Sequence, residues 1–244
     1  MLTKDELFVD FQWLESALGF YGKKTTFYNN FLINELKEEP FYSGAENIFI
    51  NDTAKFRNEN YWGKPITGFG DSNGEILLVG LAPAAHGGTR TGRVFTGDKS
   101  SDFLYKCLYK AKISNQSNSD HINDGLKLNN AFITAALKCV PPGDKPLKNE
   151  LDNCFNYFKQ EINLLKNLKV IVALGKIAFD ACVYFYKTNY GFSGKIKFGH
   201  NSIYHLSNNI MLVGCYHPSP RNVNTGRLNE QKMASLFKKV LKLI

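Results

Sequence analysis

The sequence has no apolar run that approaches the ~20 residues a membrane-spanning helix requires. Residues 1–6 also lack the basic segment and apolar core that begin a secretory signal peptide. Cysteine is scarce: there are five, an odd number and widely spaced, which argues against a disulfide framework and favours a reducing compartment. We therefore expect no membrane association and an intracellular location, in the cytoplasm or the nucleoid.

Internal repeats and low-complexity tracts are missing too. The composition of 43% hydrophobic, 14% aromatic and 21% charged residues excludes a disordered chain, a collagen and a coiled coil. Basic residues are in excess, with 30 Lys and Arg against 22 Asp and Glu and a formal net charge of +8. Such a domain is attracted to polyanions such as nucleic acid, and a solvated Lys-rich surface is the alternative.

Four short apolar runs are typical of buried strands, and they span residues 75–83, 131–137, 170–174 and 210–215. Amphipathic helical patterns separate them. This alternation predicts an α/β fold of three layers, in which a central, mostly parallel four-stranded sheet lies between helices. We expect one domain over residues 1–244, with residues 1–50 as a helical and loop extension packed on it.

Three polar loops follow three of these strands, at the carboxyl ends where parallel sheets bind ligands. The first loop spans residues 80–98, GLAPAAHGGTRTGRVFTGD; the second spans 139–146, CVPPGDKP; the third spans 217–228, HPSPRNVNTGRL. Glycines in the first loop allow backbone N–H groups to approach a ligand, and its arginines suit phosphate. The composition of the third loop suits insertion into a groove, although a single histidine at a strand end is more often structural.

Two nucleotide-binding motifs do not fit. A P-loop requires Lys and then Ser or Thr after its second glycine, whereas Arg93 and Val94 follow Gly92. The dinucleotide fingerprint requires three spaced glycines after a strand, whereas Gly68 and Gly70 precede the strand and lack the third. A generic nucleotide-binding α/β protein is therefore a weaker hypothesis.

Together and in this order, the three loops resemble the uracil-DNA glycosylase superfamily, and its family-five (type b) branch in particular. The segment 61–71, YWGKPITGFGD, fits as well, and the resemblance covers residues 55–244. It implies the three-layer fold and a DNA repair enzyme that flips uracil out of DNA and hydrolyses its N-glycosidic bond, leaving an abasic site. Hypoxanthine and other deaminated bases are further candidate substrates. The partner is then uracil-containing DNA, and we expect a monomer.

The resemblance suggests roles for individual residues. His217 donates to the uracil carbonyl as a neutral imidazole N–H. Phe95 stacks on the flipped base, and a core packing role is its alternative. Asp98 holds the attacking water, and a helix N-cap is its alternative because a helical pattern follows it. The backbone around the base comes from the start of the first loop: Gly80, Leu81, Ala82, Pro83 and Ala84.

Two positions depart from the family pattern. Many members of the superfamily carry a polar side chain at the position of Ala82. An alanine there is what the family-five pattern implies, so another residue must hold the attacking water. Members usually have Asn where this chain has Asp144, which accepts a hydrogen bond from water but adds negative charge near DNA phosphates. We expect Asp144 either to share the catalytic role of Asp98 or to alter the activity.

Polar side chains of the first and third loops are the candidate DNA contacts, with solvated side chains as the alternative. They are Arg90, Arg93, Ser219, Arg221, Asn222 and Arg227. The third loop would enter the duplex and hold it open.

The family usually holds a [4Fe–4S] cluster on four cysteines. Cys139 and Cys154 match one pair, but no cysteine precedes Cys107, so the other pair is missing. Cys182 and Cys215 lie in apolar patterns, where free cysteine acts as a small hydrophobe. We therefore expect no metal and no other cofactor.

Two alternatives to a working uracil enzyme stay open. One is an enzyme with a shifted target, such as hypoxanthine or xanthine. The other is a weakened or inactive member that binds damaged DNA without cutting it, since the cysteine pair is lost and Asp144 is unusual.

Overall fold

A computed structural model of the chain describes residues 56, 59, 61–63, 65–141 and 144–244. The predicted extension over residues 1–50 lies outside the described residues. Within these described residues, the sheet has six strands in the order β1-β3-β2-β4-β6-β5. The strands are β1 (Phe69–Gly70), β2 (Ile76–Gly80), β3 (Ala131–Ala135), β4 (Val170–Leu174), β5 (Ile203–His205) and β6 (Met211–Cys215).

Helices connect and cover these strands. They are α1 (Gly88–Thr91), α2 (Lys99–Lys110), α3 (Lys148–Leu164), α4 (Lys176–Tyr190), α5 (Pro220–Asn224) and α6 (Glu230–Val240), with a 3-10 turn at Ser207–Asn209. In the part of the chain that the structure describes, no helix is both long enough and apolar enough to cross a bilayer.

The four predicted strands form the centre of the sheet, and they pair in parallel as β3-β2-β4-β6. Two short edge strands were not predicted: β1 pairs antiparallel with β3, and β5 pairs antiparallel with β6. The α/β fold is therefore confirmed, and the predicted count of four strands is two too few. The edge strands have two and three residues, too short for any periodic pattern.

Both faces of the sheet are covered, because successive side chains of a strand point to opposite sides. Ile76 and Leu78 pack in one apolar cluster with side chains of α2 and α6. Leu77 and Val79 pack in a second cluster with side chains of α3 and α4. All five residues of β2 are buried, which explains why its sequence is a continuous apolar run rather than an alternating one.

Candidate active site

The first and third loops leave neighbouring parts of the carboxyl edge of the sheet. Backbone hydrogen bonds continue past the strands there: Leu137 N donates to Leu81 O at 2.8 Å, and Gly175 N donates to Cys215 O at 2.8 Å. A β-carbon built on Gly175 would lie 3.5 Å from His217 Cβ. The sheet thus places the start of the third loop close to the carboxyl end of β4.

Phe95 links the first loop to the third. A β-carbon built on Gly80 would lie 2.6 Å from Phe95 Cε2, so the ring packs directly on the glycine backbone. The ring centroids of Phe95 and His217 are 6.2 Å apart, with the planes at 35°. Phe95 is 8% exposed and has a φ of +50°, which is uncommon for a bulky residue. The structure therefore brings Gly80, Phe95 and His217 together.

His217 is held as a neutral imidazole. Burial lowers the pKa of His217 to about 4, because desolvation disfavours the charged ring. A neutral imidazole carries one N–H donor and one acceptor nitrogen. The backbone of the residue is fixed as well: His217 O accepts a hydrogen bond from Asn222 Nδ2 at 2.8 Å. Ser219 is the N-cap of α5. Two of the predicted DNA contacts, Ser219 and Asn222, thus also stabilise the third loop internally.

Asp98 is the N-cap of α2 and uses only one of its two carboxylate oxygens, Oδ1, for the cap. Its Oδ1 accepts hydrogen bonds from Ser100 N at 2.8 Å and Ser101 N at 2.9 Å. Among the described residues, none donates a hydrogen bond to Asp98 Oδ2. This oxygen lies against Gly87: a β-carbon built on Gly87 would be 2.2 Å from it. Burial raises the pKa of Asp98, although the two backbone donors oppose that shift. The capping and water-holding interpretations are therefore compatible.

The residues predicted to surround the base lie at the end of β2 and in the turn after it. Gly80 and Pro83 are buried, Leu81 and Ala82 are partly exposed, and Ala84 is exposed. Ala84 O accepts from Gly87 N at 3.1 Å and from Thr89 N at 3.2 Å, which closes the turn. This turn brings Gly87 to the Asp98 carboxylate.

The family model of the uracil DNA glycosylase superfamily matches residues 67–242. The chain belongs to this superfamily. It is 39% identical over 204 residues to the Type-5 uracil-DNA glycosylase of Mycobacterium bovis, covering 82% of this chain and 75% of that protein. It is 40% identical over 189 residues to the Type-5 uracil-DNA glycosylase of Thermus thermophilus, covering 77% and 84% respectively. The corresponding protein of Pyrobaculum aerophilum is 36% identical over 190 residues, 78% of this chain and 81% of its own.

The two arginines of the first loop both make contacts within the protein in this superfamily member. Arg93 is 3% exposed, and its guanidinium donates to both carboxylate oxygens of Asp124, at 2.8 and 2.7 Å. Arg90 donates to His86 O and Gly97 O and forms an ion pair with Glu59. Arg93 is thus too buried to contact phosphate, which corrects that expectation, whereas Arg90 is partly exposed and its phosphate contact stays a prediction.

Arg221 and Arg227 are exposed on the third loop, as a DNA contact requires. The Arg227 guanidinium lies over the Tyr216 ring, 5.4 Å from its centroid, which holds the cation at the surface beside His217. Asp144 is exposed on the second loop with a φ of +56°, and no contact in the described ranges joins it to Asp98. The roles given to these three side chains stay predictions.

The side chains around Cys139 do not complete a ligand set for the superfamily's iron–sulfur cluster. Burial and the nearby Cys154 thiol raise the pKa of Cys139 to about 12. Cys107 and Cys215 belong to one apolar cluster and Cys182 to the other. In the described ranges, no three Cys, His, Asp or Glu side chains group as metal ligands. The described residues therefore do not fit the cluster.

Several residues near the site escaped the sequence analysis. Gly87 lies against Asp98, and the doublet of Gly87 and Gly88 in the first loop was a signal that could have identified it. Tyr61 Oη lies 2.6 Å from His86 Nδ1, next to Gly87. Ser119 and Asp124 also contact the first loop, but they come from a segment without any motif.

Proposed function

We propose that this chain is a uracil-DNA glycosylase that acts in base excision repair. The observation that carries the proposal is the packing of Phe95 against Gly80 and near His217 at the carboxyl edge of the sheet, with Asp98 three residues further along the first loop as the N-cap of α2. It offers a ring for stacking, a neutral hydrogen-bond donor and an available carboxylate oxygen. The names of the relatives in Mycobacterium bovis and Thermus thermophilus support uracil in DNA as the substrate.

The uracil must leave the base stack before its N-glycosidic bond can be reached. In the proposal, the flipped base stacks on Phe95, whose ring is confined between Gly80 and His217. Small residues of the first loop, Ala82 and Ala84, leave room for the base, and their side chains offer it no competing polar group.

His217 stabilises the negative charge that grows on uracil as the bond breaks. A neutral imidazole donates a hydrogen bond to the carbonyl oxygen without transferring its proton, and with a pKa of about 4 the ring is neutral at physiological pH. Removing one such donor typically lowers kcat about 10²- to 10³-fold. The hydrogen bond from Asn222 to the His217 carbonyl fixes the donor before substrate arrives.

Asp98 acts on the sugar side of the bond. Two backbone N–H groups at the start of α2 hold Oδ1, so the direction of Oδ2 is set. In the proposal, Oδ2 accepts a hydrogen bond from the attacking water, and the carboxylate stabilises the oxocarbenium-like sugar. The step balances with water alone: the base leaves as an anion, water adds to the sugar carbon, and the proton that the water loses neutralises the departed base.

The proposal includes no iron–sulfur cluster, since no cysteine precedes Cys107 and the N-terminal pair of the family pattern is therefore missing. Excision of hypoxanthine, and a catalytic share for Asp144, are finer proposals. We also propose that the protein is a monomer and lies inside the cell. Both of these proposals rest on the sequence.

The test is excision from a labelled duplex that carries one G·U pair, with no metal added and alkali to cleave abasic sites. Strand scission is expected with the wild type, and it should fall at least 10²-fold in His217→Ala and in Asp98→Asn. Two exposed residues provide matched controls, His205→Ala and Asp180→Asn, which should keep full activity. Intact uracil DNA with the wild type, together with salt-sensitive DNA binding, would instead support the binding-only alternative.

A further inference from the structure

A segment between α2 and β3 forms a separate arm, residues 113–129. Its base is closed near the amino end of β3, where Asn129 N donates to Ile113 O at 2.8 Å. An isolated β-bridge joins Ser114 to Leu128. Residues 119–124 form its tip, which lies against the first loop. The arm therefore connects the amino edge of the sheet with the loop that carries Phe95.

The tip contacts the first loop through Ser119, which is fully buried. Ser119 Oγ donates to Phe95 O at 3.0 Å, and Ser119 O accepts from Gly97 N at 2.8 Å. Ser119 Oγ also accepts from Arg93 Nη2 at 3.0 Å and lies 2.7 Å from Thr96 Oγ1. The serine hydroxyl thus contacts three residues of the loop, Arg93, Phe95 and Thr96, and it reaches Phe95 through the backbone carbonyl.

Asp124 makes the tip rigid. Its carboxylate pairs with Arg93 and accepts backbone hydrogen bonds from Asp120 N at 2.8 Å and Leu126 N at 3.0 Å. The Asp124 and Arg93 side chains are 6% and 3% exposed, so water competes little for these bonds. Ion pair and turn together hold Ser119 in place.

Phe95 needs such support because of its backbone. A bulky residue at a φ of +50° is strained, and a strained conformation persists only where the surroundings determine it. The same conformation directs the ring onto Gly80 and toward His217. The backbone carbonyl of Phe95 accepts its hydrogen bond from Ser119. This serine lies on the arm, a segment that no sequence motif included.

We propose that Ser119, held by the Arg93–Asp124 ion pair, is a positioning residue that keeps the Phe95 ring in the geometry that stacks the flipped base. This inference rests on the proposed function for what the ring binds. The inference assigns the arm a role in catalysis that is indirect, because Ser119 acts through the Phe95 ring and not on the substrate.

The experiment is a double-mutant cycle on single-turnover uracil excision, with Ser119→Ala and Phe95→Ala made alone and together. Ser119→Ala should lower the rate constant about tenfold and leave the KM for DNA unchanged, because the phosphate contacts are untouched. In the Phe95→Ala background the same change should have little effect, since the ring it positions is gone. Ser117→Ala, an exposed serine on the same arm, is the matched control and should match the wild type.

Equal losses from Ser119→Ala in both backgrounds, or no loss in either, would overturn the proposal. A wild type without excision activity would contradict the proposed function instead, and a second measurement then decides this inference. Nuclear Overhauser contacts between the Phe95 ring and Gly80 should weaken in Ser119→Ala but not in Ser117→Ala. Unchanged contacts would sink the positioning role whatever the enzyme's substrate.

Discussion

Two loops of this protein carry a pair of arginines each, and the structure uses the two pairs in opposite ways. In the first loop, Arg90 and Arg93 turn inward and pair with Glu59 and Asp124. In the third loop, Arg221 and Arg227 are exposed. The same residue type therefore stabilises one loop and is available to a polyanion in the other.

The difference follows from what each loop has to do. The first loop must hold Phe95 in a strained backbone conformation, which needs a dense, buried network of hydrogen bonds. In the proposed function the third loop meets DNA, where affinity comes from cations that remain free to contact phosphates. Position in the fold, and not the charge itself, separates a brace from a binding residue.

Arg93→Ala should have the largest effect on stability. It leaves the Asp124 carboxylate buried without its partner, and breaking a buried ion pair in this way typically costs about 3–5 kcal/mol of unfolding free energy. Urea unfolding measures the loss, and Arg221→Ala, which is exposed, should stay within about 0.5 kcal/mol of the wild type. Equal stabilities of the two variants would remove the contrast between the loops.

Gly87→Ala should impair catalysis. The added β-carbon would lie 2.2 Å from Asp98 Oδ2, so the carboxylate must shift, and a misplacement of about 1 Å can cost about 10²-fold in rate. Gly199→Ala is the control, because the nearest atom to its β-carbon would be 3.7 Å away. Full excision activity in Gly87→Ala would argue against a catalytic role for Oδ2.

The centre of the fold was predictable from the sequence because its strands are buried on both faces. Such strands appear as continuous apolar runs, and β4 was located without error at residues 170–174. The edge strands were not predictable, since two or three residues carry no periodicity. Capping of α2 by Asp98 could be anticipated, because a carboxylate directly before a helical pattern is a common N-cap.

The candidate site was predictable only in part. Phe95, Asp98 and His217 stand in loops whose composition is distinctive, so they could be named. The inward direction of Arg93 could not, because its partner Asp124 lies 31 residues away in a segment without a motif. Long-range pairing of polar side chains leaves no local pattern, and this is why the braces of the first loop escaped prediction.

The stability of the protein should depend on pH through His217, which lies where the two loops meet. Its pKa is about 4 in the folded protein against 6.5 for the ordinary side chain, so between these values the unfolded chain binds more protons. Stability should therefore fall as the pH drops from 6.5 towards 4, by about 2 kcal/mol at pH 5.

Unfolding free energies at pH 7 and pH 5 test this contribution. His217→Gln should show a smaller pH dependence than the wild type, whereas His205→Gln, at an exposed position, should not differ from it. Some dependence should remain in His217→Gln, because burial also lowers the pKa of His200. An unchanged pH dependence in His217→Gln would mean that the imidazole is not buried as neutral.

Arg227→Ala and Arg221→Ala should give the smallest energetic effect and the clearest sign that the third loop meets DNA. Each removes one exposed cation, so the slope of log affinity against log salt should become shallower by about one, with stability within about 0.5 kcal/mol. Lys166→Ala, an exposed cation just before the amino end of β4, is the control and should leave the slope unchanged. If Lys166→Ala lowered the slope as much as Arg227→Ala does, DNA attraction would be spread over the whole basic surface. The third loop would then contribute no more to DNA binding than the rest of the surface does. The two loops would differ only in that the arginines of the first loop stabilise it.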